Sequence, residues 1–182
     1  WNAASSQSSI SSDGRYVAFR SNATNLVWGD TNGIWDVFVY DRQTQVMKNI
    51  TITWNAGTQQ RVTMTADGRY ITFESPSNNL VAWDAWNLDV FVYDNSTDIL
   101  TNITLGANGN SDSVRISDNG RYIVFESAAT NLWPPDIGGP RDIFVYDMQD
   151  HSFENITDWH NTNIQFSDIS DDGRYVVFES NS

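Results

Sequence analysis

The sequence predicts an all-β chain of repeated four-stranded antiparallel blades, the plan of a β-propeller, and three observations carry that expectation. A twelve-residue motif occurs four times, at Ile10 to Ser21, Met64 to Ser75, Ile116 to Ser127 and Ile169 to Ser180, and its glycines, Gly14, Gly68, Gly120 and Gly173, are spaced by 54, 52 and 53 residues. A second motif, Asp36-Val-Phe-Val-Tyr-Asp41, returns at Asp89 to Asp94 and at Asp142 to Asp147, and Asn49-Ile50-Thr51 returns at Asn102 and Asn155 with the same period of 53. The repeated segments are short runs of β-branched and aromatic residues closed by Asp-Gly or Asn-Gly, the marks of strands joined by tight turns. No stretch keeps a helical period over ten or more residues. Four strands about every 53 residues is the spacing of a propeller blade, slightly above the commonest range.

Taken in order, the first strand of the unit runs from about Gln7 to Ser11 and enters the Asp-Gly turn. The second covers Arg15 to Arg20, where Tyr16, Val17 and Phe19 are all apolar because a blade buries both faces against its neighbours. The third is Asp36 to Asp41 and the fourth Val46 to Ile52. On this period the blades occupy 1–53, 54–106 and 107–159, and residues 160–182 supply only the first two strands of a fourth. Trp1-Asn2 and Trp54-Asn55 mark blade starts and Trp159 falls in register, whereas the position near 107 has lost its Trp. The half-repeat has two readings. Either the chain is part of a longer propeller, or separate copies complete each other through the open strand edge, giving a ring if the contact closes and a filament if it does not.

Composition narrows the function classes. The chain has 182 residues, a formal charge of −13 and a pI near 4.2, which argues against sequence-independent binding to nucleic acid or anionic lipid. At 40% apolar and 13% aromatic residues it is too hydrophobic to be disordered. Without cysteine it has no disulfide, thiol nucleophile or thiolate metal site. No apolar run approaches a membrane span, so membrane insertion is not expected, and the start at Trp1 reads as a mature terminus or an excerpt.

The Ser-x-Asp-Gly-Arg-Tyr-Val-x-Phe-x-Ser segment followed by Asp-Val-Phe-Val-Tyr-Asp resembles the blade of TolB-like, WD-repeat-like propellers, over essentially the whole chain. The Pro usual in that turn is replaced by Ser12, Ala66, Asp118 and Asp171. The long loop from Thr24-Asn25-Leu26 to Asp36 is similar to that of secreted bacterial members. The resemblance implies a scaffold for protein binding or extracellular display and does not imply one chemistry.

Three residue sets are candidates for a site. Asp30, Asn32 and Asp36, with Gly33 permitting a sharp turn, place hard oxygen ligands at spacings reminiscent of calcium loops; the equivalent loops carry Asp84, Asn87 and Asp89, then Asp136 and Asp142. The same residues alternatively make turn bonds and cap strand ends. Asn22, Asn49, Asn95, Asn102 and Asn155 head N-glycosylation sequons, and in the three Asn-Ile-Thr copies Ile would point inward while Asn and Thr face solvent. The bland alternative there is a solvated polar ladder. Trp28, Trp83 and Trp133 follow the Asn-Leu of the long loop and would stack on sugar rings or anchor an interface, or else close the inter-blade core.

Catalytic constellations are missing. His151 and His160 lie in non-repeated contexts, there is no nucleophile elbow or phosphate loop, and the only lysine is Lys48. A residue present in every blade is more simply structural; Arg15, Arg69, Arg121 and Arg174 are expected to pair with carboxylates of the same or the neighbouring blade, with Asp41, Asp94 and Asp147 as candidates. The expectation is a non-enzymatic extracellular structural or display protein that assembles with copies of itself and carries rim glycans. The alternatives are a module binding a glycan or cell-surface protein through loop Trp residues with Ca²⁺, and the accessory propeller of a larger enzyme. No cofactor other than Ca²⁺ is implied.

Overall fold

The computed structural model describes residues 2–79, 87–133, 140–157 and 164–180. These form fourteen strands and no helix. Blade 1 is β1 (Ser5–Ile10), β2 (Tyr16–Ser21), β3 (Asp36–Asp41) and β4 (Val46–Asn49). Blade 2 is β5 (Gln59–Met64), β6 (Tyr70–Ser75), β7 (Asp89–Asp94) and β8 (Ile99–Asn102), and blade 3 is β9 (Ser111–Ile116), β10 (Tyr122–Ser127), β11 (Asp142–Asp147) and β12 (Ser152–Asn155). β13 (Ile164–Ile169) and β14 (Val176–Ser180) form a two-stranded fourth sheet. Every sheet is an antiparallel meander in chain order, the expected blade plan.

The turn between the first two strands is built identically in each blade. Gly14 sits at φ +70°, a left-handed conformation that costs glycine nothing, while Asp13 Oδ1 accepts from the Arg15 amide and the Ser11 hydroxyl. Asn119 takes the place of Asp13 in blade 3 and accepts the equivalent bonds. The fourth strand is shorter than expected, ending at Asn49 instead of Ile52. Its ladder stops because a side chain takes over: the Val37 amide donates to Thr51 Oγ1 at 3.0 Å instead of to a backbone carbonyl.

Strand alternation assigns each blade two apolar faces. In β7, Phe91 and Tyr93 pack into the core shared with blade 1, whereas Val90 and Val92 pack into the core shared with blade 3. The core between blades 1 and 2 therefore joins Ala18, Val37 and Val39 to Val62, Met64, Ile71 and Phe73, and a smaller core joins Val124 and Ile143 to Ile164. Trp54 fills the first core, 4.7 Å from Phe91 and 5.5 Å from Phe73 between ring centroids. Where blade 3 has Ala107 at the corresponding position, Phe153 leans on Phe125 and Tyr146 at 6.1 and 5.0 Å, a compensating ring from a different strand.

Candidate functional site

Two contacts recur wherever one blade meets the next, and a third joins blade 2 to blade 3 and blade 3 to the fourth sheet, where glutamate stands in the position that Arg20 holds in blade 1. The tyrosine that opens the second strand lies on the turn glycine of the following blade, so closely that a Cβ on Gly68 would stand 2.5 Å from Tyr16 Cδ2 and one on Gly173 2.3 Å from Tyr122 Cδ2. A glutamate near the end of the second strand reaches the amide freed by a bulge in the next innermost strand: Glu74 Oε1 accepts from the Val114 amide at 2.8 Å and Glu126 Oε1 from the Ser167 amide at 3.2 Å. The turns themselves are linked by backbone bonds, from the Ser12 amide to Ala66 O, from the Ala66 amide to Asp118 O and from the Asn119 amide to Asp171 O.

Both halves of this joint stand uncovered at the ends of the blade series. At one end, Tyr175 and Val177 are 64% and 65% exposed and Glu179 is exposed with them. At the other, the turn glycine Gly14 meets only the tip of Arg42 of its own blade, and Ile10, in the position of the buried Met64 and Ile116, is 57% exposed.

The acidic loop residues divide by blade. In blade 1, Asp30 and Asp36 are buried, at 5% and 1% exposure, and Asn49 ties them together: its Nδ2 donates to Asp30 Oδ2 at 3.2 Å, while its Oδ1 accepts from the Thr51 amide. Thr51 Oγ1 completes the link by donating to Asp36 Oδ1 at 2.6 Å. Burial pushes the Asp36 carboxyl up, against the hydrogen bond from Thr51 and the nearby Asn49 and Asn32 side chains, which pull it down. Asn32 also orders the loop, accepting from the Ile34 amide. In blade 2, Asn87 donates to Ala107 O and Asp89 accepts from Thr104 Oγ1; in blade 3, Asp142 accepts from Thr157 Oγ1. Asp84, Asp136 and Trp83 lie outside the described residues. Among the described residues no three His, Cys, Asp or Glu side chains gather into a metal cluster.

The orientation expected for the Asn-Ile-Thr triplets is corrected. Thr51, Thr104 and Thr157 are buried at 1%, 0% and 0% exposure instead of facing solvent. Each is the centre of a clasp that accepts from the amide of Val37, Val90 or Ile143 and donates to the aspartate beginning that strand. Asn49, Asn102 and Asn155 accept from the amide of that threonine. At Asn155 the side chain is 7% exposed and its Nδ2 is sealed from solvent. The physical reason is that the third strand begins with an aspartate and an amide that burial obliges to find partners, and threonine supplies both. Asn22 is half-buried beside Thr24, whose hydroxyl accepts from Asn2, and Asn95 is half-buried in the β7–β8 turn. Trp28 stands 98% exposed beside a shallow groove walled by Met47, Ile50, Ile52 and Tyr93, and Trp133 is 39% exposed on a loop of blade 3.

Arg15, Arg69 and Arg121 pair with Asp41, Asp94 and Asp147 at 2.8, 3.0 and 2.9 Å, each guanidinium lying over the next tyrosine ring. The Arg15 bond holds Asp41 well below the usual carboxylate range, and at Asp94 the bonds from Arg69 and Ser96 outweigh burial and bring it to about 2. Sequence reasoning missed a charged group beside the innermost strands, where Arg141 binds both Asp112 and Glu126, and Glu74 is fully buried. Burial, with Asp112 nearby, pushes Glu74 up to about 8. The register Arg20, Glu74, Glu126, Glu179 across the four motifs was the available signal.

No protein-family model matches the sequence, and no curated protein is similar to it by sequence. Solved structures do match. A putative TolB from Agrobacterium tumefaciens is similar over 98% of this chain and 59% of its own, at 17% identity and a TM-score of 0.57. The chain has a TolB-like β-propeller fold. Oligogalacturonate lyase from Vibrio parahaemolyticus matches 88% of this chain and 41% of its own at 13% identity and a TM-score of 0.60. The β-propeller domain of the Trilobed protease from Pyrococcus furiosus, described as having an open velcro topology, matches 90% and 45% at 13% identity and a TM-score of 0.57. The TolB-like chain thus spans about half the length of these structures, and identities this low carry the fold alone.

Proposed function

We propose that this TolB-like propeller is a non-enzymatic, extracellular structural or display module that joins head to tail with further copies of itself. The observation that carries the reading is that the outer faces of the first and the last described sheets are the two halves of one joint. Tyr175, Val177 and Glu179 present the same joint that Tyr122, Val124 and Glu126 present to β13, and Gly14, Ile10 and the bulge of β1 repeat the surface that receives it. A contact between two different surfaces is heterologous, so it closes into a ring or propagates as a filament according to the rotation per copy. The long loop's similarity to secreted members supports an extracellular setting, and the charge of −13 keeps single copies soluble until the faces meet. Asn95 is the sequon whose position in a hairpin turn best suits a glycan within this reading.

Light scattering across a concentration series tests it. The unmodified protein is expected to run above 20.6 kDa with a mass that grows with concentration, and Tyr175→Asp or Ile10→Asp to return it to the monomer mass. A monomer at high concentration overturns the reading. One observation favours a second function on the same scaffold: Trp28, 98% exposed beside an apolar groove, is a ready stacking platform for a sugar ring. Binding to a glycan array that survives Trp28→Ala would remove that reading and leave the assembly untouched.

A further inference from the structure

Asp30 and Asp36 are separated by six positions in sequence yet share one hydrogen-bonded link through Asn49 and Thr51. That link uses one oxygen of each carboxylate, Asp30 Oδ2 and Asp36 Oδ1. The other two, Asp30 Oδ1 and Asp36 Oδ2, are sealed from solvent and receive no donor. A buried carboxylate oxygen without a donor is costly, and the charge of Asp30 also disfavours a charged Asp36. Among the described residues the salt bridges involve other groups; no Arg, Lys or His is bonded to either aspartate. The neighbouring ordered side chains, Asn32, Asn49 and Thr51, are neutral oxygen-bearing groups.

We propose that the β2–β3 loop of blade 1 binds a calcium-type divalent cation between Asp30 and Asp36, with Asn49 and Thr51 orienting the two carboxylates. Charge balances there, two carboxylates against one dication. Calcium fits better than magnesium because carboxylate and amide oxygens carried on an irregular loop suit a large ion of variable coordination, whereas magnesium demands a near-ideal octahedron. The conformation of the loop prepares the site: Gly33 at φ +66° makes the bend between the two aspartates, and Asn32 pins it through the Ile34 amide. The cation then locks the loop onto the start of β3. This site is independent of the head-to-tail contact, which uses other surfaces.

The experiment takes the whole chain, stripped with EDTA, and titrates it with terbium, read by luminescence excited through the adjacent Trp35, and with calcium and magnesium, read by calorimetry and thermal unfolding. Expected are terbium luminescence displaced by calcium, a calcium affinity of the order of 10⁻⁴ M, and a rise in Tm with calcium that magnesium does not reproduce at the same concentration. Asp30→Asn should lose one equivalent of bound calcium. In EDTA it should be at least as stable as the unmodified chain, because it removes a repelled charge and keeps an oxygen for Asn49. Unchanged calcium stoichiometry in Asp30→Asn, or no calcium-dependent rise in the unmodified chain, overturns the proposal. So does a loss of stability by Asp30→Asn in EDTA with calcium binding intact, which would make Asp30 a purely structural acceptor.

Discussion

Replacing Glu74 by Gln should make the chain more stable at neutral and alkaline pH and leave it nearly unchanged in weak acid. Glu74 is fully buried, one oxygen accepting from the Val114 amide and the other without a donor. Burial holds its proton up to about 8, whereas an unfolded chain releases it near 4.5. Between those values the folded state binds more protons than the unfolded state. The stability this group contributes is therefore fully present below about 4.5 and is lost as pH rises through about 8. At 1.36 kcal/mol per pH unit the loss is capped at about 5 kcal/mol, and relaxation around the charge reduces it to roughly 3 kcal/mol or more. That is a large part of the ~5–15 kcal/mol that a domain of this size has in total. Gln keeps an oxygen for Val114 and cannot ionise. Urea denaturation of both proteins from pH 4 to 9 measures the effect, and the difference between the two curves isolates Glu74 from other titrating groups. The curves should converge near pH 4.5 and separate by about 3 kcal/mol or more in favour of Gln above pH 8. A difference that does not vary with pH, or a Gln variant weaker at pH 8, would refute the reasoning.

The remaining expectations are more local. Gly68→Ala should cost at least about 3 kcal/mol in urea, since its Cβ meets Tyr16 as well as a left-handed backbone, while Gly33→Ala, with φ +66° and open space around it, should cost about 1–2 kcal/mol. Equal losses would show that the tyrosine yields freely. Thr104→Val, which removes the acceptor of the Val90 amide and a donor to Asp89, should cost about 2–4 kcal/mol, with Thr104→Ser within about 1 kcal/mol of the parent. If Ser is as damaging as Val, the hydroxyl clasp is not the reason threonine is there. Acid should act oppositely to alkali: Asp94, held at about 2 by Arg69 and Ser96 despite burial, contributes stability that is present above its ordinary 3.8 and lost as pH falls through about 2. Because Arg69 is half exposed, Asp94→Asn should lower stability at pH 6 by no more than about 1 kcal/mol and flatten the limb below pH 3.5, readable by circular dichroism.

Much of the site geometry was legible only in part. The three arginine–aspartate pairs could be named in advance, because a guanidinium at the start of one strand and a carboxylate at the end of its antiparallel partner must face each other, as the register Tyr16 with Asp41 confirms. The Asn-Ile-Thr triplets misled. Polar residues flanking an isoleucine read as a solvent face, but at the end of the fourth strand the chain turns inward and the threonine becomes the buried partner of β3. The burial of Glu74 could be suspected only from its recurrence as Glu126 and Glu179, since its neighbours in sequence form an ordinary strand and the amide it accepts from belongs to another blade.

The period of about 53 residues by itself determined the blade, its four strands, its turns and its repeated cores, because those depend on patterns within a few residues and on their recurrence. Tertiary structure decided the rest. Which carboxylates end up sealed, which tyrosine lies on which glycine, and which copies of the joint remain uncovered all depend on groups some 40 to 50 residues apart meeting across a blade boundary. Burial, which sets the charge of Glu74 and leaves oxygens of Asp30 and Asp36 without donors, is a property of the packed neighbours and not of the local chain.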